Sequence, residues 1–453
     1  MKEETKMKET KVYNSEKVSL GKALLWNTRP LSFGAVTILM GYLSMFCTDI
    51  LQMPAALVGT LLMASKIFDG VTDLIAGYIV DNTKTKLGKG RPYELCLIGV
   101  WVCTFALFAS NVEWSMTMKS VWLLIMYTLI WSIFGTMLNA AETPYIIRAF
   151  GNAIAVTKAS AIGGVFITLG CMVVSVSLPM AIGALGTTVA GWRKIIAMYA
   201  IPLLIIGLLR FLLVPESFIP EQDAKEEKVA IKDILTVLTS NRYIWLLAII
   251  SMIPQTISGM GATTYYFNVV VGDITKLSAI SMLGLVSTLF ILFFPAMMKK
   301  RTAMDLIGIF SVIGMIGNAM VFFAGSNMVV LIIAFFLSGL AVLPTSYMRS
   351  PIIMDVAEYN ERQGRPRMEA TLAAATNFTV KIGQALGAFL LGALLSVGGY
   401  DGALAVQPDS AIMSIRVLCS FMPAALMLLS FICAVAYRPL DAFLKNEREK
   451  NKQ

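Results

Sequence analysis

Residues 63–81, MASKIFDGVTDLIAGYIVD, place the ionisable side chains Lys66, Asp69 and Asp73 in an otherwise apolar stretch. A membrane-spanning helix needs about 20 mostly apolar residues, and the stretch from 55 to 81 supplies them. An aspartate at the centre of such a helix costs about 2.5–3.5 kcal/mol on insertion scales, so intramembrane acids are retained chiefly for function. The stretch therefore predicts a spanning helix that carries a functional polar site.

The composition of the whole chain also indicates a membrane protein. Of its 453 residues, 57% are hydrophobic and 14% are charged, whereas soluble domains are nearer half apolar and a quarter charged. The net charge of +9 is typical of basic loops at membrane surfaces, and no basic groove indicates a nucleic-acid partner. The chain has no histidine, which excludes histidine-based metal sites and Ser-His or Cys-His nucleophiles. We expect no enzyme activity, no cofactor and no structural metal.

Apolar runs and helix breakers predict an all-α fold of twelve spans in two six-helix bundles. Basic residues are concentrated in alternate loops, which by the positive-inside rule places both termini in the cytoplasm. The polar segment PESFIPEQDAKEEKVAIKD, residues 215–233, separates the sixth span from the seventh. The expected domains are a tail (1–28), the first bundle (29–214), a middle loop (215–242), the second bundle (243–437) and a second tail (438–453). The predicted spans are 30–51, 55–81, 93–111, 120–145, 157–181, 193–214, 243–268, 275–297, 303–325, 327–348, 369–397 and 412–437.

Asp69 and Asp73 have the i, i+4 spacing that places two side chains on one helix face, and Lys66 lies on the same stripe. A Lys66–Asp69 pair packed against a neighbouring helix is one interpretation, but it leaves Asp73 unexplained. Two carboxylates one turn apart repel each other, so either one is protonated or a cation lies between them. Thr72 adds a hydroxyl beside them, and these oxygens suit a proton or Na⁺.

Two further ionisable residues, Glu142 and Lys381, lie in predicted spans. Glu142 is followed by Pro144 near the end of the fourth span, where an interfacial position is an alternative to a buried one. Lys381 has long apolar runs on both sides, so we expect it to face a polar cavity. If these two residues share a cavity with Lys66, Asp69 and Asp73, one monovalent cation would balance the charges.

The loop GYIVDNTKTKLGKGRPY, residues 77–93, resembles the signature loop between the second and third spans of the major facilitator superfamily. Three longer stretches resemble one branch of it, the glycoside-pentoside-hexuronide:cation symporters. They are KIFDGVTDLIAGYIVDNTKTKLGKGRPY (66–93), DVAEYNERQGRPRMEAT (355–371) and VKIGQALGAFLLG (380–392). The resemblance implies a small-molecule sugar as substrate and Na⁺ or H⁺, with Li⁺ possible, as coupling ion.

The same resemblance implies roles for individual residues. In that family two acids of the second span bind the cation together with polar residues of the second and fourth spans, and here these positions are Asp69, Thr72, Asp73 and Asn139. The sugar-binding acid of the fourth span corresponds to Glu142, and the lysine of the eleventh span corresponds to Lys381. The sequence departs from the family where a first-span acid holds the sugar, because that position is Phe33. A sugar pose is therefore not transferred.

The remaining candidates are side chains that suit sugar binding or ion pairing. Tyrosine rings could stack on a sugar and an asparagine could bond its hydroxyls, although aromatic residues are also common as packing residues. Loop charges could close a cytoplasmic gate through ion pairs that break during alternating access, or could simply be solvated. The sugar candidates are Tyr265, Tyr266, Asn268 and Tyr347, and the gate candidates are Asp81, Arg91, Asp355, Glu358, Arg365, Arg367 and Glu369.

The function expected from the sequence is import of a glycoside, oligosaccharide or related sugar by cation symport. We place the protein in a bacterial cytoplasmic membrane as a multi-pass monomer with the lipid bilayer as its surroundings. A transporter or flippase of an amphiphilic, lipid-like solute is one alternative, because Phe33 replaces an acid. A membrane-embedded sensor is an alternative of another class, although the loops leave no room for an attached soluble domain.

Overall fold

The computed structural model describes residues 19–83, 85–150, 153–217, 242–298, 301–364 and 369–450. Within these ranges the chain is helical and forms no strand beyond the isolated bridge between Thr85 and Gly88. The longer helices are α1 (Leu20–Trp26), α2 (Thr28–Met40), α3 (Ala55–Asp81), α4 (Cys96–Phe108), α5 (Met116–Thr128), α6 (Thr136–Phe150), α7 (Ala153–Leu185), α8 (Val189–Leu213), α9 (Arg242–Met260), α10 (Leu277–Leu289), α11 (Ala303–Ala324), α12 (Met328–Tyr347), α13 (Arg349–Arg362), α14 (Glu369–Val397), α15 (Asp409–Cys419) and α16 (Phe421–Lys450).

Several helices of this set are long and apolar enough to cross a membrane. The described residues contain nine such segments, or ten when the bent pair Leu20–Met40 and Leu43–Ile50 counts as one span. The all-helical prediction is confirmed, whereas the count of twelve spans stays a prediction. The nine segments are Arg91–Phe108, Met116–Phe150, Ile162–Leu185, Val189–Leu213, Arg242–Val270, Ala303–Ala324, Met328–Thr345, Ala375–Val397 and Asp409–Asn446.

The helices group into two compact units. The first contains the described residues of Met1–Leu43 and Phe68–Lys225, and the second contains those of Ser44–Ile67 and Glu226–Gln453. The sequence instead assigns residues 44–67 to the first bundle, and the predicted domain boundaries stay predictions. The core of the first unit includes Trp26, Tyr145 and Phe150.

Polar residues mark where several helices begin. The hydroxyls of Ser115 and Thr188 accept N–H bonds from Met118 at 3.3 Å and Gly191 at 3.1 Å. Thr302 caps the following helix in the same way, through the Asp305 N–H at 3.1 Å. Such N-caps satisfy backbone donors that a helix leaves unpaired at its start.

π-Helical turns interrupt the spans next to the candidate sites. The turn Leu129–Gly135 leads directly into α6, which carries Thr136, Asn139 and Glu142. Two similar turns, Phe46–Ile50 and Tyr266–Val270, carry Asp49 and Asn268. Turns of this type widen a helix locally and are frequent at functional sites.

Within the second unit, glycines allow the first part of α3 to pack backbone against backbone with α14. A Cβ atom at Gly59 in α3 would lie 2.6 Å from the Ala388 carbonyl oxygen and 3.1 Å from the Cα of Gly392 in α14. Small residues at such crossings are the usual means of close helix packing in membranes.

Candidate functional site

The two second-span acids lie against a threonine of α6 that is not among the cation ligands predicted from the sequence. The Oγ1 atom of Thr136 lies 3.1 Å from Oδ1 of Asp69 and 3.1 Å from Oδ1 of Asp73. Thr136 and Asp69 are buried, with 4% and 5% of their surface exposed, whereas Asp73 is exposed. The Trp131 carbonyl oxygen lies 3.2 Å from the same hydroxyl. Oxygen atoms from two helices therefore converge at this point.

The Thr136 hydroxyl has one hydrogen to share among these acceptors. When it donates to one carboxylate, the neighbouring carboxylate gains no hydrogen bond from it, and two ionised carboxylates in this position repel each other. A proton on one of them or a small cation beside them removes the repulsion. The geometry can thus hold one monovalent positive charge.

The other two predicted cation ligands have different surroundings. Thr72 is buried, and its hydroxyl donates to the backbone carbonyl oxygen of Asp69 at 3.0 Å. Asn139 is exposed on α6, one turn after Thr136. The structure thus brings Asp69, Asp73 and Thr136 together, and the roles of Thr72 and Asn139 stay predictions. Thr136 could have been predicted from its position three residues before Asn139, because residues with this spacing share a helix face.

Glu142 lies in a cluster of four charged side chains within the first unit. Its Oε2 atom accepts from Nη2 of Arg210 at 2.7 Å and also from Nη2 of Arg29, while its Oε1 atom accepts from Nη1 of Arg210 at 3.2 Å. Glu94 completes the cluster, with Oε1 at 3.4 Å from Nη2 of Arg210 and 3.8 Å from Nε of Arg29. We call these four residues the Arg29–Arg210 cluster.

Burial differs sharply within the Arg29–Arg210 cluster. The side chains of Arg29, Glu94 and Arg210 are 4%, 1% and 0% exposed, whereas that of Glu142 is 31% exposed. The Arg210 guanidinium also lies 3.4 Å from the ring centroid of Trp26, a cation–π contact that helps to offset its burial. Glu142 is therefore the one member of the cluster with an appreciable open side.

Three members of this cluster, Arg29, Glu94 and Arg210, were not among the site residues predicted from the sequence. The charge balance predicted from Lys66, Asp69, Asp73, Glu142 and Lys381 alone is therefore incomplete. Arg210 lies in the apolar run IPLLIIGLLRFLLV. Asp69 was selected as an ionisable residue inside an apolar span, and the same criterion would have selected Arg210. Glu94 and Arg29 lie at the ends of predicted spans, where charged residues are common and carry less signal. Glu142 is thus balanced by arginines of its own unit.

In the second unit, two of the predicted sugar residues, Asn268 and Tyr265, lie at Asp49 and at the adjacent Thr48 respectively. Asn268 donates to Oδ2 of Asp49 at 3.1 Å, and the hydroxyl of Tyr400 donates to Oδ1 at 2.7 Å. The Thr48 hydroxyl also bonds Oδ1 at 2.7 Å and lies 2.9 Å from the hydroxyl of Tyr265. Burial raises the pKa of Tyr400, which lies between two spans, so its phenol remains a donor.

The other sugar candidates are not part of this group. The Tyr266 hydroxyl lies 3.0 Å from the Val321 carbonyl oxygen and 2.9 Å from that of Gly325, and its side chain is fully buried. Lys381 is half-buried in α14. The side chain of Tyr347 lies outside the described part of the chain. Substrate roles for these residues stay predictions.

Among the gate candidates, Arg91 is anchored within the first unit. Its Nε donates to the Phe211 carbonyl oxygen at 2.8 Å and its Nη2 to that of Leu212 at 3.2 Å. Glu216 accepts the backbone N–H groups of Lys89, Gly90 and Arg91 at 2.9, 2.7 and 2.7 Å. These contacts tie the loop before α4 to the end of α8.

The remaining gate candidates lie near α13 or outside the described residues. Glu358 and Arg362 form an i, i+4 ion pair at 2.6 Å, and Asp355 is half-buried. Arg365 and Arg367 are outside the described residues, as are the side chains of Asp81 and Glu369. A gate role for the whole set stays a prediction.

Comparison with known proteins identifies the family of the chain. The model of the family described as MFS/sugar transport protein matches residues 33–441. The chain belongs to this family. Its members and structural neighbours are membrane transporters, so the expectation of a transporter rather than an enzyme is confirmed.

The curated relatives of this MFS/sugar transport chain are bacterial transporters. It is 27% identical to the isoprimeverose transporter of Lactiplantibacillus pentosus, over 82% of this chain and 78% of that protein. It is 26% identical to the inner membrane symporter YicJ of Escherichia coli (strain K12), over 88% of this chain and 87% of that protein. These relatives confirm the resemblance to the glycoside-pentoside-hexuronide symporters and a multi-pass location in the cell membrane.

The fold agrees with that of solved transporters. A bacterial homolog of the human lysosomal transporter Spinster matches with a TM-score of 0.69 and 14% identity, over 93% of this chain and 96% of that chain. At that level of identity the match establishes the fold alone. The chain is thus an all-helical MFS transporter with a small-molecule substrate.

Proposed function

We propose that this protein is a secondary active transporter that imports a glycoside, oligosaccharide or related sugar by symport with Na⁺ or H⁺ through alternating access. The observation that carries the proposal is the convergence of Asp69, Asp73 and Thr136. It supplies one site for a monovalent cation in a chain whose relatives are named as sugar transporters and symporters. The complete protein would have twelve spans, cytoplasmic termini and a monomeric state.

Coupling follows from the charge at the two acids. With the site empty, two ionised carboxylates repel each other at membrane depth, where negative charge is costly. A bound Na⁺ or proton lowers that cost, and the sugar then binds to the cation-loaded protein. Since a ligand shifts a conformational equilibrium only by its differential affinity for the two states, loading both ligands would favour reorientation.

The remaining predicted residues would complete the two sites and the gate. Thr72 and Asn139 would add oxygen ligands after small side-chain movements. Glu142 of the first unit would accept sugar hydroxyls, and a sugar-binding role is proposed as well for the tyrosines and Asn268 of the second unit. The proposed sugar contacts are Glu142, Lys381, Tyr265, Tyr266, Asn268 and Tyr347, and the proposed gate residues are Asp81, Arg91, Asp355, Glu358, Arg365, Arg367 and Glu369.

Neutralising either acid tests the proposal. In proteoliposomes, D69N and D73N should abolish accumulation of labelled sugar driven by a Na⁺ or proton gradient, because neutralising one acid removes the repulsion between carboxylates that the bound cation would relieve. The matched control is D305N, since Asp305 is partly exposed and pairs only loosely with Arg438 at 3.8 Å. Accumulation at the wild-type level in both variants would refute the cation site. Uptake with Na⁺, Li⁺ or a proton gradient alone would identify the ion.

A transporter of an amphiphilic solute is the second candidate. Phe33, at the position where the symporter family has a sugar-binding acid, lies edge-on to Trp131 with ring centroids 5.6 Å apart. An aromatic pair of this kind suits an apolar group. Uptake of labelled lysolipid, with no uptake of any sugar, would favour this function.

A further inference from the structure

The Arg29–Arg210 cluster carries no net charge when its four members are ionised. Arginine stays protonated in proteins, so the two guanidinium groups are balanced by Glu94 and Glu142. Three of the four side chains are at most 4% exposed. Buried ions of this kind persist when each has a partner of opposite charge. The cluster is therefore a neutral unit, and removal of one charge would leave another without its balancing partner.

Glu142 is held so that it can only accept hydrogen bonds. Arg210 binds both of its carboxylate oxygens, and Arg29 binds Oε2 as well. Such bidentate, charge-assisted bonds fix both the orientation and the ionised form of a carboxylate. The exposed part of Glu142 lies on α6 near the exposed residues Asn139 and Thr143. What remains available at this surface is an anionic acceptor, which suits the hydroxyl donors of a sugar.

Glu94 acts on this surface through its charge. Neither of its carboxylate oxygens has a hydrogen-bond partner among the described residues, and the Nε atoms of Arg29 and Arg210 also lack one there. Its distances of 3.4 and 3.8 Å to the two arginines are those of ion pairs. Replacing Glu94 by a neutral side chain of the same shape would therefore leave one excess positive charge beside Glu142.

We propose that Arg29 and Arg210 are positioning residues for Glu142, and that together with Glu94 they make the sugar site selective for neutral glycosides over uronates. This inference rests on the proposed function and assigns a substrate class to the same site. A uronate brings a carboxylate that accepts bonds but donates none, and Glu142 repels it. The cluster itself offers no surplus positive charge to compensate for that repulsion, which leaves Lys381 as the one cation among the proposed sugar contacts.

The experiment compares pairs of sugars that differ only at C6. Methyl glucoside and methyl glucuronide form one pair, and methyl galactoside and methyl galacturonide form another. Uptake into proteoliposomes at pH 7 gives KM and maximal rate for each sugar. In the wild type the ratio of maximal rate to KM should be at least about tenfold higher for the neutral member of the transported pair than for its uronate. E94Q should reduce that preference about tenfold, because the excess positive charge of the cluster attracts the uronate carboxylate but not the neutral sugar.

Arginine variants separate positioning from folding. R29K and R210K keep the charge but lose the forked geometry, so they should raise KM for the neutral glycoside more than they lower the maximal rate, with the preference over the uronate retained. R210Q should raise KM further than R210K. R193Q is the matched control, because Arg193 donates to the Ala109 carbonyl oxygen at 2.9 Å and lies outside the cluster.

Each outcome decides the inference. A wild type that takes up the uronate as well as its neutral partner overturns the charge selectivity and leaves the sugar symport intact. If E94Q reduces uptake of the neutral glycoside and of the uronate in equal proportion, Glu94 has a structural role and the charge selectivity is also overturned. If E94Q does not reach the membrane, the inference is tested by the preference of the wild type for the neutral glycoside over the uronate and by the R29K and R210K variants. No uptake of any sugar with any cation overturns the proposed function and this inference together.

Discussion

At the scale of single residues, one hydroxyl decides how the two acids of α3 are arranged. Asp69 and Asp73 share a helix face by their spacing alone, which the sequence predicts. The group that lies between them is Thr136, 3.1 Å from each. A hydrogen bond to a charged group contributes about 1.5–3 kcal/mol. Thr136 is therefore expected to influence cation affinity.

Replacing Thr136 by valine tests this expectation. T136V keeps the side-chain volume but removes the hydroxyl oxygen that would bind the cation beside the two carboxylates, so the apparent affinity for the coupling cation should fall about tenfold or more. The cation dependence of sugar uptake measures the change. T136S should restore most of the affinity. The control is T60V, because the exposed Thr60 bonds the Ala56 carbonyl oxygen of its own helix, at 2.8 Å. Unchanged cation dependence in T136V would show that the hydroxyl is not a ligand.

At the scale of elements, the loop before α4 is attached to the end of α8 by a single carboxylate. Glu216 accepts three consecutive backbone N–H groups, from Lys89 to Arg91. The loop reaches it through Gly88, whose φ of +117° is a conformation that favours glycine. Arg91 reinforces the attachment through carbonyl oxygens at the end of α8. The signature loop of the family is thus a structural link within the first unit.

Removal of the Glu216 carboxylate should weaken this link. E216A leaves three backbone donors without their acceptor, and we expect a loss of about 1–3 kcal/mol in stability. The melting temperature of the purified protein in detergent measures it. E216Q, which keeps one acceptor oxygen, should lose less. Equal melting temperatures for E216A and the wild type would contradict the assigned role.

At the scale of the whole molecule, the distribution of basic residues predicts the orientation of the chain. The loops expected in the cytoplasm carry most of the lysines and arginines, and such loops resist translocation. The fold of the family places the chain in the membrane but does not test which side each terminus faces. The topology is therefore a separate prediction about the complete protein.

Protease protection tests the topology. An epitope tag added at either terminus should be resistant to protease in intact spheroplasts and cleaved after lysis, since both termini are expected inside. A tag in the predicted outer loop near Gly402 should be cleaved in intact spheroplasts. Cleavage of a terminal tag without lysis would contradict the predicted orientation.

The sequence alone determined what depends on local composition and on spacing within one helix. Long apolar runs identified the membrane class, and i, i+4 spacing identified Asp69 and Asp73 as neighbours, because 3.6 residues per turn relate such positions without further information. Motif resemblance identified the family. The tertiary structure decided which residues from different helices meet. Arg29, Glu94, Glu142 and Arg210 are far apart in the chain, as are Asp69 and Thr136, and only helix packing brings their side chains within bonding distance. Contacts of this kind leave no periodic pattern in the sequence, which is why the partners of Glu142 emerged only from the fold.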